Sequence, residues 1–156
     1  MHGHERFCEV ALALEPALLE GVNSYGETPL LTAVTSGRVS VAYILLRHCC
    51  NLQPTSRRRV ILKQDNGGCN VLHHAIRCGH SELALDFIKD EPALSQAVNK
   101  HNESPMFIAV MRNDMDVFEK LLEIPDSAHS GAFGYNALHA APSLKGSWKH
   151  AQSWQL

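Results

Sequence analysis

The chain has 156 residues, of which 45% are hydrophobic and 19% charged, and a formal net charge of -2. That is enough apolar material for the core of one domain, and it leaves no broad basic footprint for DNA or RNA. An odd count of five cysteines excludes a secreted disulfide framework, so a soluble protein of a reducing compartment is expected, cytoplasmic as this chain.

The N-terminal Met1-His2-Gly3-His4-Glu5-Arg6 lacks the apolar stretch of a signal peptide. Residues 3–13 then carry Phe7, Ala11 and Leu12 at helical spacing. The longest apolar run, residues 10–19, is interrupted by Glu15 and Pro16. It falls short of the roughly 20 residues a membrane helix needs, so no direct membrane insertion is expected. A turn at Ser24-Tyr25-Gly26 leads to Thr28 and Pro29, a helix cap and a first helical residue. Gly37 stops that helix, and Val41, Leu45 and Leu46 space out a second one.

Residues 49–62, with Pro54 and Arg57-Arg58-Arg59, read as an inserted extended loop with a helical turn near residues 58–62. The pattern then resumes. A turn at Asn66-Gly67-Gly68 precedes the cap Asn70, Gly79 ends the helix, and Leu83, Phe87 and Ile88 space out its partner. A turn at His101-Asn102 precedes the cap Ser104 with Pro105, Asn113 ends that helix, and Val117, Leu121 and Leu122 follow. A last turn at Phe133-Gly134 precedes the cap Asn136. Pro142 and Gly146 break any second helix there, and residues 142–156 read as a disordered tail.

These segments repeat one another. Slid by 76 positions, residues 3–29 match residues 79–105 at ten places without a gap, Glu15-Pro16-Ala17-Leu18 falling on Glu91-Pro92-Ala93-Leu94. The caps Thr28, Asn70, Ser104 and Asn136 lie 42, 34 and 32 residues apart, and each is followed five residues later by an alanine: Ala33, Ala75, Ala109 and Ala141. A unit of about 33 residues with the pattern T-P-L-H-x-A resembles the ankyrin repeat. The resemblance reaches to Ala141, with Leu31 and Phe107 where the pattern has histidine. It implies an all-α solenoid of helix pairs and finger turns, incomplete at both ends. A half-repeat would span 1–23, repeats would start near 24, 67 and 102, and a partial repeat near 134.

Gly68-Cys69-Asn70-Val71-Leu72-His73-His74-Ala75, the stretch from Val98 to Ala109, and Gly134-Tyr135-Asn136-Ala137-Leu138-His139-Ala140-Ala141 look like the accelerated-cell-death type of plant ankyrin protein. That resemblance implies a longer parent chain with membrane helices after the array, at the cytoplasmic face of the plasma membrane, in defence and cell-death signalling. An inert truncated product is the other reading.

Chemistry finds little purchase. There is no G-x-S-x-G and no P-loop, and no cysteine–histidine pair with a third orienting group, so no enzyme and no cofactor are expected. Cys69, His73, His74, Cys78 and His80 are zinc-type residues. His73 is the pattern histidine, however, and His80 accompanies the turn glycine. Cys69 and Cys78 flank a short helix that sets them roughly 12 Å apart, so no metal is expected. Arg57-Arg58-Arg59 reads as a solvated run, with phosphate or acidic-partner binding as its alternative.

The function expected is therefore protein binding. In such arrays the finger turns and the exposed side of the first helices make a concave surface. Tyr25, Thr32, His74, Arg77, His101, Ile108, Met111, Arg112 and Phe133 are placed there, as a groove with an apolar centre and arginines at its rim. Ile108 and Met111 are read equally well as packing on neighbouring repeats. Apolar half-repeat faces at both ends, such as Phe7 and Leu138, point to association through those ends.

Overall fold

The computed structural model describes residues 3–140. Nine helices, and no strand, occur among them. α1 (Gly3–Leu14) opens the order, followed by the pair α2 (Pro29–Thr35) and α3 (Val39–Cys50). An interposed α4 (Pro54–Ile61) comes next, then the pairs α5 (Val71–Arg77) with α6 (Ser81–Asp90) and α7 (Pro105–Arg112) with α8 (Met115–Leu122), and finally α9 (Ala137–Ala140). Short 3₁₀ turns at Pro16–Glu20, Pro92–Gln96 and Ala132–Gly134 join them.

The caps read from the sequence bond as their chemistry requires. The Thr28 hydroxyl accepts the N–H of Leu31, the Asn70 side chain those of Leu72 and His73, the Ser104 hydroxyl that of Phe107, and the Asn136 side chain that of His139. Each removes a donor that the helix itself leaves unpaired. Pro29 and Pro105 open their helices. Gly37, Gly79 and Asn113 close theirs with positive φ, at 66°, 74° and 57°, which lets the chain double back into the second helix.

Packing follows the pairing. Within each pair the two helices lie together, and first helices stack in series from α2 to α5, α7 and α9. α1 packs on α3, and α6 on α8. The buried set runs through every pair as one cluster, with Leu30, Leu31, Leu72, Ile76, Leu83, Phe87, Ile88 and Leu121 almost wholly enclosed. The four alanines of the pattern are small so that first helices can approach, and Ala33, Ala75 and Ala109 are buried. Ala141 and the tail from 142 lie outside the described residues.

The insertion departs in part from expectation. The helical turn expected near residues 58–62 is the end of a two-turn helix, α4, begun by Pro54 at its first position, and extended backbone precedes it at Gln53. Val60 and Ile61 are buried, and α4 packs on α3 and on the Pro16–Glu20 turn. Two adjacent apolar residues cannot both find cover in a free loop, whereas a docked helix end encloses them. The arginine run is also engaged: Arg58 pairs with Glu91 at 3.5 Å, Arg59 with Glu20 at 2.9 Å, and Arg57 donates to the Asp90 carbonyl.

Candidate functional site

The fingers form a ladder. The N–H of Asn66 donates to the carbonyl of Tyr25 at 2.9 Å, that of Lys100 to Gly67 at 2.9 Å, and the Asn102 side chain to the Gly131 carbonyl at 3.4 Å. Successive finger tips are thus held side by side. Gly68, at φ 80°, sits so near the next finger that a Cβ there would lie 3.1 Å from Asn99 Cα and Lys100 N. Backbone contact this close requires glycine twice over, for conformation and for space.

At the base of each of the first three fingers a short side chain buckles the turn. The Asn23 carboxamide oxygen accepts the N–H groups of Tyr25 and Glu27, Asp65 those of Gly67 and Cys69, and Asn99 those of His101 and Glu103. The buckle extends onto the first helix. Thr32 donates to Glu27 at 3.1 Å, and His74 Nε2 lies 2.8 Å from Asp65 Oδ2. Burial alone would raise the Asp65 carboxyl, but the hydrogen bonds from His74 and from the Cys69 and Gly67 amides outweigh it and hold it below the usual carboxylate value.

Neighbouring repeats are tied together beneath this surface. Arg77 donates to Cys69 Sγ at 3.1 Å and pairs with Glu103, which also accepts from Asn99 at 2.7 Å. The buried His73 ring spans the same junction: its Nδ1 accepts the Asn70 N–H at 3.3 Å, and its Nε2 lies 3.1 Å from the Glu103 carbonyl, to which it donates. Burial, which outweighs the Glu103 bond, depresses His73 to about 4 and keeps it neutral. His80 lies over Gly37 of the preceding repeat, its Nε2 3.7 Å from where a Cβ would stand.

The predicted surface residues divide. Tyr25 and Phe133 stand out at finger tips, 71% and 78% exposed. His101 is an exposed tip, and Met111 and Arg112 are exposed at the end of α7. Thr32 and His74 are half-buried on successive first helices, held by the finger buckles.

Two of these residues are engaged with their neighbours. Ile108 is only 5% exposed: α7 is covered by α5 on one side and α9 on the other, so its apolar side chain belongs to the packing. Arg77 is half-buried and paired with Glu103. Exposed finger tips and first-helix ends thus lie over a hydrogen-bonded floor.

One convergence was not read from the sequence. Asp65, Cys69 and His74 bring a carboxylate oxygen, Sγ and an imidazole nitrogen within 4.8 Å of one another. The sequence reading grouped Cys69 and His74 with Cys78 and left out Asp65, which comes from the finger. The signal lay in the repeat spacing: residues 23, 27 and 32 are the counterparts of 65, 69 and 74, and of 99, 103 and 108.

Known proteins agree with this architecture. A family model for ankyrin repeats in three copies matches residues 1–92. The chain is 31% identical over 102 residues to the ankyrin repeat-containing protein ITN1 of Arabidopsis thaliana, covering 65% of this chain and 16% of that relative. The chain thus spans a small fraction of that relative's length. No helix among the described residues is long and apolar enough to cross a membrane. With paired helices, capped first turns, laddered fingers and a family match over more than half its length, the chain belongs to the ankyrin-repeat family, whose repeats serve as protein-interaction modules.

Proposed function

We propose that this chain binds another protein through its finger tips and the exposed ends of its first helices, the concave side of the array. The observation that carries this reading is the exposure of Tyr25 on the first finger, Met111 at the end of α7 and Phe133 on the last finger. Aromatic and methionine side chains supply contact area at interfaces, and a rigid ladder beneath them lowers the entropic cost of binding. His101 and Arg112 add polar contacts at the edge.

A photo-crosslinking amino acid placed at positions 25, 101 and 111, and as controls at Tyr43 and Glu119 on the second helices, tests the placement. Adducts to a protein from the first set alone are expected. Adducts from the second set alone would overturn it. Once a partner is in hand, Tyr25→Ala and Met111→Ala should each weaken it by about 1–2 kcal/mol, and unchanged affinity in both would contradict the surface chosen.

The setting we infer is plant defence or cell-death signalling, with the array as the cytoplasmic part of a longer membrane protein. Its support is the likeness to an Arabidopsis ankyrin protein and to the plant type named above. Sequencing the full transcript tests it: membrane helices encoded downstream agree with the reading, and an early stop would favour a truncated product.

A second reading concerns the ends. Phe7 and Leu138 are 71% and 76% exposed, whereas their repeat counterparts Leu83 and Leu72 are buried where α6 meets α5. Among the described residues, α1 has no first helix packed before it and α9 no second helix packed on it. A second copy of the chain can cover these exposed faces, head to tail, an arrangement that propagates rather than closes. Sedimentation should show concentration-dependent association that Phe7→Glu abolishes, and a monomer at every concentration would rule it out.

A further inference from the structure

The finger of the second repeat is buckled to its helix by a different chemistry from its neighbours. Asn23, Glu27 and Thr32 close the first finger with amide, carboxylate and hydroxyl, through bonds of 2.9 and 3.1 Å. Asn99 and Glu103 close the third, where the helix position is the apolar Ile108. The fold therefore needs neither thiol nor imidazole at these places. In the second repeat the same three positions carry Asp65, Cys69 and His74, whose oxygen, sulfur and nitrogen lie within 4.8 Å of one another.

That set has the composition and nearly the spacing of a transition-metal site. Tetrahedral zinc, bonded at about 2.3 Å to sulfur and 2.0–2.2 Å to nitrogen or oxygen, holds its ligand atoms roughly 3.3–3.6 Å apart. The His74–Asp65 pair, now 2.8 Å apart, needs to open by about half an ångström, and the sulfur to close by about an ångström or less. Each ligand is fixed by its own element: Asp65 by two backbone amides, Cys69 next to the cap Asn70, and His74 on α5.

Charge favours a dication. A carboxylate and a thiolate with a neutral imidazole sum to two negative charges in a partly desolvated place, with Cys69 buried and the others half-buried. Arg77 stands against this at 3.1 Å from the sulfur. Its charge is already offset by Glu103, and its N–H supports a thiolate.

We propose that Asp65, Cys69 and His74 form a zinc-type metal site with three protein ligands at the base of the second finger. Three ligands leave the fourth tetrahedral position to water or to a side chain of a bound protein. The metal would lock finger to helix in the middle of the surface assigned above to partner binding, although the site stands independently of that assignment.

The test is a cobalt(II) titration of the reduced full chain, read by the thiolate-to-cobalt absorption and the visible bands of a tetrahedral centre, followed by displacement with zinc. One equivalent should bind with a dissociation constant on the order of 1 µM or tighter. Cys69→Ser and His74→Ala should each weaken binding at least tenfold, and Cys78→Ser and Cys49→Ser should leave it unchanged. The triple substitution Asp65→Asn/Cys69→Glu/His74→Thr installs the first repeat's hydrogen-bonded set. It should fold, by far-UV circular dichroism, yet lose the thiolate band. Octahedral cobalt spectra only, or a thiolate band that survives in this folded triple variant or vanishes with Cys78→Ser, would overturn the proposal.

Discussion

His73 shows how a single buried side chain couples repeats and makes the array sensitive to acid. Burial depresses it to about 4, below the ordinary histidine value of 6.5, so between those values the unfolded chain binds a proton that the folded chain refuses. Stability is therefore complete above about pH 6.5 and is lost as pH falls toward 4, by about 3 kcal/mol for the whole window. Urea midpoints at pH 7 and pH 4.5 measure it. His73→Leu should flatten that dependence, since the first repeat buries Leu31 at the same position; an equally steep fall in the variant would assign the acid lability elsewhere. Gly131 offers a second residue-scale test. A Cβ there would overlap the ring of Phe107, so Gly131→Ala should cost about 1–3 kcal/mol by thermal melt, and Phe107→Leu in the same chain should recover part of it.

At the scale of elements, the structure shows which local signals are sufficient. The caps Thr28, Asn70, Ser104 and Asn136 and the stops Gly37, Gly79 and Asn113 carry their conformational preferences in their own side chains, so the first helices were legible from the sequence. α4 was legible only as a turn near residues 58–62: three arginines precede its two buried residues, and Val60 and Ile61 lie where α4 packs on α3 and the Pro16–Glu20 turn, which a local reading does not see. Ile61→Ala should cost about 2–5 kcal/mol, whereas Arg59→Ala, whose pair with Glu20 is largely exposed, should cost less than about 1 kcal/mol. Equal effects of the two in urea melts would mean that α4 is held by charge rather than by packing. The candidate site divides in the same way. Exposed tips such as Tyr25 and Phe133 were visible as apolar residues in turns. Ile108 could be read either way because its cover comes from neighbouring helices, and Asp65 was missed because a finger residue meets His74 only once the turn is folded.

For the whole molecule, stability sums over repeats and the junctions between them. The junctions here are specific: laddered fingers, His73 between second and third repeats, the Arg77–Glu103 pair, and stacked first helices from α2 to α9. Such a stack holds successive finger tips side by side. The measurement that bears most directly on this account is urea unfolding followed by far-UV circular dichroism, on the chain and on a version ending at Ala141. A single cooperative loss of helix with the same midpoint in both is predicted. A gradual, non-cooperative loss, or a midpoint that depends on the last fifteen residues, would contradict an array held together by its own repeat junctions.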